Sequence, residues 1–235
     1  MPICEENVNK LVKNFNMYVD VFYKSERDRG FPKSSFYFHK RVIEIIRKNG
    51  HEKIFKDNKL FDYFSEILYA TLATWGMDRM GKRGPRLANF ETFKKSLRDV
   101  WPKIEELNLR YSLEKIEENE LETVKENLIK LFNSLKNKIM KTEQQLVGIS
   151  KTLHHLLPDL VPPIDRKYTL NFFYSSQNST SKDEDKKFGE IFEYFYKICK
   201  RIGLSSKNLK REWDTSIPKL IDNAIIGFER GGVEK

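Results

Sequence analysis

Between residues 5 and 24 the apolar positions Val8, Leu11, Val12, Phe15, Val19 and Phe22 recur at steps of three and four, the period of one helical face. This spacing predicts an amphipathic helix. A second helix is expected from Ser34 or Ser35, either of which can cap it, to about residue 48, where Asn49-Gly50 ends it. A third, over residues 59–75, carries Leu60, Phe61, Phe64, Ile67, Leu68, Thr71, Leu72 and Trp75, a stripe broad enough to place it near the centre. Asn89 reads as the N-cap of a helix to about residue 101, with Pro102 ending or kinking it. Residues 113–137 combine Leu121, Val124, Leu128, Leu131, Phe132 and Leu135 with many Glu and Lys, predicting a long salt-bridged helix with one buried face.

Further on, residues 165–174 are apolar and aromatic enough for a buried helix, with the carboxylate of Asp165 as its N-cap. The polar run 175–181 reads as a mobile loop. Helical periodicity resumes over 183–201, closed by Gly203, and a last helix is expected over 215–228. No stretch keeps the alternation of a strand and no repeat is evident. The pattern predicts an all-α, multi-helix globular bundle: one helical domain over 1–235, or two lobes whose boundary no linker composition marks.

Composition adds limits. With 39% hydrophobic residues and 13% aromatics, a chain of 235 residues can fill a substantial core. Cys4 and Cys199 are far apart and lack metal-type spacing, so neither a disulfide framework nor a metal site is expected, and a reducing cytoplasm fits. No apolar run approaches the length of a membrane span, and the first residues do not read as a secretory signal. Nothing calls for a cofactor. Oligomeric state is not legible.

Charge points to one class of partner. The 43 Lys and Arg outweigh the 34 Asp and Glu, a formal net charge of +9, which favours phosphate-bearing partners such as DNA or another nucleic acid. Solvated helix faces explain the same balance equally well. Residues 76–86 concentrate Arg79, Lys82, Arg83 and Arg86 among three glycines and a proline, so that backbone amides and cations there can cradle a phosphate. The ordinary alternative is an exposed loop.

The densest chemistry lies in residues 146–165. Leu146-Val147-Gly148-Ile149-Ser150 reads as a tight turn into a short helix capped by Ser150 or a neighbour, with Lys151 in the first turn as a candidate nucleophile. Asp165 can approach it, either for Schiff-base chemistry or water activation, or as the partner in a structural ion pair. His154 and His155 point about 100° apart on a helix, so one is expected to be packed and one exposed. His154 shares the face of Lys151, and no third ligand stands at metal-site spacing.

Lys151-Thr-Leu-His-His-Leu-Leu, followed by Ile164-Asp165-Arg166, resembles the helix-hairpin-helix DNA glycosylases. The resemblance implies a hairpin whose amides hold DNA phosphate, with Gly148 as its first glycine, a flipped base, and Lys151 and Asp165 acting at the sugar C1′. Ser150 stands where that pattern has a second glycine, and only fourteen residues separate Lys151 from Asp165. Ser150-Lys151, Leu153-His154, Pro158, Pro163 and Asp165, with Thr74-Trp75-Gly76-Met77, are also similar to an uncharacterised prokaryotic all-α family. The expectation is a DNA-binding protein of glycosylase-like architecture that acts on damaged bases through Lys151 and Asp165, with Gly148, Arg79, Lys82, Arg83, Arg86 and His154 in binding. Its alternative is a non-enzymatic helical module for nucleic acid or protein.

Overall fold

The computed structural model describes residues 2–78, 85–176 and 183–231, with the backbone alone at 28 and 29. Among these residues the regular structure is helical, and pairing between extended segments is limited to an isolated antiparallel bridge between Leu87 and Met140. The first amphipathic stretch is two helices, α1 (Glu5–Lys13) and α2 (Phe15–Arg29), which part at Asn14. Their buried residues Val8, Leu11, Phe15, Val19 and Phe22 still form one seam across the break.

Helix α3 (Lys33–Lys56) does not stop at Asn49-Gly50. It kinks at Gly50, whose φ of 73° suits glycine, and continues because His51 and Ile54 beyond the kink are buried. Asp57 caps α4 (Asn58–Leu72), accepting the N–H groups of Lys59 and Leu60, and one π-helical turn (Ala73–Met77) prolongs it and carries Trp75. Asn89 caps α5 (Phe90–Arg110) through the N–H of Thr92. Pro102 sits inside α5, and the buried residues Ile104 and Leu107 hold the last two turns to the core. Helix α6 (Leu121–Leu135) starts later than its charge pattern suggests, since Leu113 and Ile116 are buried in irregular backbone before it.

Helix α7 (Leu146–Leu156) occupies the centre. It touches α3, α4, α6 and α9 (Glu184–Ile202), and all eleven of its residues are buried. Its N-terminus is closed off by Glu184, whose Oε1 accepts the N–H groups of Gln145 and Leu146 at 2.8 and 3.1 Å. Asp165 caps the π-helical turn Arg166–Leu170 through the N–H of Lys167, and that turn passes into the short α8 (Asn171–Tyr174). Gly203, at φ 70°, ends α9 as anticipated.

The final helix, α10 (Ile217–Gly231), lies along α2, its most extensive packing partner. A Cβ at Gly227 would stand 1.9 Å from the Tyr18 carbonyl oxygen, so a residue without a side chain is what lets the two backbones approach. One continuous apolar core runs from Val8 to Ile226. Within it Trp101 meets the rings of Phe61 and Phe64 edge-on, 5.2 and 5.4 Å away.

Candidate functional site

Because α7 is packed on every side, its polar residues must find partners inside the protein. Thr152 donates to the Gly148 carbonyl at 2.8 Å. Ser150 donates to the Val147 carbonyl and accepts the N–H of Ile164 at 3.2 Å, which fixes the returning chain alongside the helix. That tether brings the next residue, Asp165, to Lys151: Nζ and Oδ2 are 3.3 Å apart. Asp165 Oδ1 accepts the Lys167 N–H at 2.8 Å, and the Asp165 N–H donates to Thr169 Oγ1 at 3.0 Å. Burial works against its carboxylate, but the Lys151 ammonium and the backbone N–H groups prevail and hold it below the usual carboxylate range.

A second pair faces the same space. Lys219 and Asp222, one turn apart on α10, meet at 2.6 Å, and both side chains are almost completely buried. Burial raises the Asp222 carboxyl despite Lys219, and the charge of Asp165 adds to the rise. Between the two pairs lies a cavity of about 290 Å³ with an open mouth, close to the lower end of the ~300–1,000 Å³ usual for small-ligand pockets. Phe31, Trp75, Tyr168 and Trp213 supply its aromatic walls. Lys151 Nζ lies 5.5 Å from the centre of the Trp75 ring, and Lys219 Nζ lies 5.3 Å from that of Trp213.

These rings are held from behind. The indole of Trp75 donates to the Ser35 carbonyl at 3.1 Å, and Asn223 donates to the Trp213 carbonyl at 3.1 Å. Arg230, paired with Glu26 at 2.6 Å, lies over Phe31 and Tyr168. Deeper still, His39, His154 and His155 are wholly buried, with His39 stacked on Trp213 and tilted against Trp75. Burial lowers all three imidazoles, His155 to about 4.

The structure joins Lys151 and Asp165, and among the described candidates it leaves Gly148, His154 and Arg86 outside the walls of their cavity. Gly148 does not form a hairpin turn: it lies within α7, and a Cβ there would come 2.5 Å from Met140 Sδ, so its role is to admit that side chain. With Glu184 bonded to the N-terminal amides of α7, those groups are not offered to a phosphate. Lys151 falls in the second turn of the helix, not the first. His154 and His155 are both buried, which corrects the expectation of one exposed ring; a helix packed all round has no outward face. His154 donates to the Val161 carbonyl at 2.8 Å and does not line the cavity.

Arg86 is exposed and outside the cavity walls, its carbonyl accepting the N–H of Lys141. Arg79, Lys82 and Arg83 lie outside the described residues, as does most of the run 175–181. Sequence reasoning missed Lys219, Asp222, Trp213 and Tyr168. For Lys219 and Asp222 there was a signal: the segment from Ile217 to Phe228 has no polar face wide enough to carry charge to solvent, so a Lys and an Asp three apart have to pair indoors. No protein-family model, no curated protein and no solved structure is significantly similar to the chain.

Proposed function

We propose that the protein acts on DNA as a base-excising enzyme, with the target base turned out of the duplex into the cavity between Lys151 and Lys219. The observation that carries this reading is the meeting of a lysine–aspartate pair with four aromatic side chains around one open cavity. A flipped base is held by stacking on aromatic groups and by hydrogen bonds to its polar edge, and the two ion pairs supply donors and acceptors for that edge. In the reaction Lys151 passes its ammonium proton to the departing base and attacks C1′ as the free amine, the bond from C1′ to the base breaks with its electrons leaving on the base, and the sugar ring then opens to an imine as the ring oxygen takes a proton from the nitrogen. Asp165, kept ionised, is a fixed negative charge beside the positive charge that develops on the sugar. The +9 net charge favours the phosphate backbone of such a substrate.

Borohydride reduction of mixtures with oligonucleotides carrying damaged bases or an abasic site tests this. A covalent adduct formed by the native protein and not by Lys151→Ala is the expected result. Base release without an adduct would assign hydrolysis supported by Asp165. Neither adduct nor release across the panel would overturn the enzymatic reading.

One observation favours a second reading, a module that binds nucleic acid or protein without turnover. The Lys151 side chain is engaged by Asp165 at 3.3 Å, and an ammonium in an ion pair is not a nucleophile. Under this reading Lys151→Ala lowers stability and alters affinity, and no covalent chemistry accompanies binding.

A further inference from the structure

The exposed side of α3 carries an excess of positive charge. From Lys33 to Lys48 it carries Lys33, Lys40, Arg41, Arg47 and Lys48 against a single acidic residue, Glu44, whereas the whole chain has 43 basic residues to 34 acidic ones. At 100° per residue these six fall within about a third of a turn of one another's mean direction, so they form one stripe. The buried residues Ser35, His39, Val42, Ile43, Ile45 and Ile46 occupy the remaining sides. By contrast, cations on α6 are matched within the helix, Lys125 by Glu122 and Lys130 by Glu126.

The stripe is also shaped. Arg41, Glu44, Arg47, Lys48 and Tyr63 border a groove between α3 and α4. The Arg41 guanidinium hydrogen-bonds the Tyr63 hydroxyl and lies 5.9 Å from its ring centre, and Tyr37 is exposed on the stripe itself. Glu44 reaches Lys40 and Arg41 at 3.9 and 3.7 Å, and Asp159 reaches Arg47 at 3.8 Å, which leaves the surface net positive. From Lys33 to Lys48 the helix rises ~22 Å, the length of about six base-pair steps. Lys33 follows Pro32, a residue of the cavity wall.

We infer that this face of α3 is a docking track for the phosphate backbone of double-stranded DNA, leading to the mouth of the cavity. The inference rests on the reading of the protein as DNA-acting and assigns it a surface independent of Lys151. Each phosphate neutralised on the track releases counterions, so the track contributes a salt-dependent part of affinity without reading sequence.

The test compares binding of a 30-base-pair duplex by the native chain, by Lys33→Gln/Lys40→Gln/Lys48→Gln, and by Lys10→Gln/Lys56→Gln/Lys130→Gln, over 50 to 200 mM salt. The second triple removes equal charge from exposed lysines outside the stripe, Lys56 lying beyond the kink at Gly50. Melting temperature verifies that all three are folded. The α3 triple is expected to weaken binding at least tenfold at low salt and to reduce the slope of log affinity against log salt by about 2–3, while the other triple changes it little. Equal losses in the two triples, or an unchanged slope in the first, would overturn the track and leave the cavity reading standing. Loss of slope in the α3 triple with no base release by the native protein would support the track and count against excision. A native chain that binds no duplex overturns both.

Discussion

His39 and His155 hydrogen-bond to each other at 3.0 Å, and the carbonyl of Lys151 decides which of them gives the proton. That carbonyl can only accept, so His155 carries its proton on Nδ1 and turns a bare Nε2 towards His39. His39 therefore donates from Nδ1, and its own Nε2, 2.8 Å from Thr215 Oγ1, accepts from the hydroxyl. The chain of donors ties α7, α3 and the segment before α10 into one directional network behind the two indoles.

This assignment is directly observable. In nitrogen-15 NMR at neutral pH, His39, His154 and His155 are expected as the Nδ1–H tautomer, and His51, which donates from Nε2 to the Leu156 carbonyl at 2.6 Å, as the opposite one. Finding His155 as Nε2–H would break the network as drawn.

Acid should destabilise the protein early. All four histidines are buried with lowered pKa values, burial being the main cause in each. Below about 6.5 the unfolded chain binds protons that the folded chain refuses, so the stability present above that pH is lost as pH falls, for His155 until about 4. Each imidazole contributes a slope of at most about 1.4 kcal/mol per pH unit in that window. The raised carboxyls of Asp222 and Glu184 work in the opposite sense and offset part of it. Urea midpoints measured from pH 7.5 to 5 should fall steeply; a flat profile would mean that the rings are open to water.

Glu184 offers a cleaner mutational test. Replacing it by Ala leaves two buried N–H groups at the start of α7 without a partner, a loss of about 2–4 kcal/mol. Glu184→Gln keeps an acceptor, and burial already pushes this carboxyl towards its neutral form, so it should cost less than about 1 kcal/mol. Equal losses for the two variants in denaturant titrations would assign the effect to packing.

The Lys219–Asp222 pair should show strong coupling. Lys219→Met strands a buried carboxylate and should cost about 3–5 kcal/mol, whereas the double change with Asp222→Leu should recover most of that. If the losses simply add, the pair is not an interacting unit. The recovered double variant also separates stability from use: an intact fold that no longer binds its ligand would show that the pair serves the cavity.

Local signals in the sequence read correctly where their cause is local. Asn89, Asp165 and Gly203 end or begin helices as their chemistry dictates, and the seam from Val8 to Phe22 is the face its spacing describes. What was illegible depends on partners distant in the chain. Gly148 looked like a turn residue because glycine often is one, but the atom that excludes a side chain there belongs to Met140. The pairing of His39 with His155 spans 116 residues, and nothing near either position announces it. Lys151 and Asp165 were visible because Ser150 and Ile164 close a short loop; Lys219 and Asp222, which complete the cavity, arrive from the far end of the chain.

That last arrangement ties the cavity to the integrity of the whole molecule. Phe31 and Pro32 leave α2 for α3 early in the chain, while Trp213, Lys219 and Asp222 come nearly two hundred residues later and reach them only because Gly227 lets α10 settle against Tyr18. No contiguous fragment contains a complete wall. A ligand in this cavity therefore bridges the chain's most distant parts, so its binding energy opposes global unfolding instead of bracing one segment. The rise in melting temperature on adding a candidate compound then becomes a readout of occupancy, usable before any reaction is in hand.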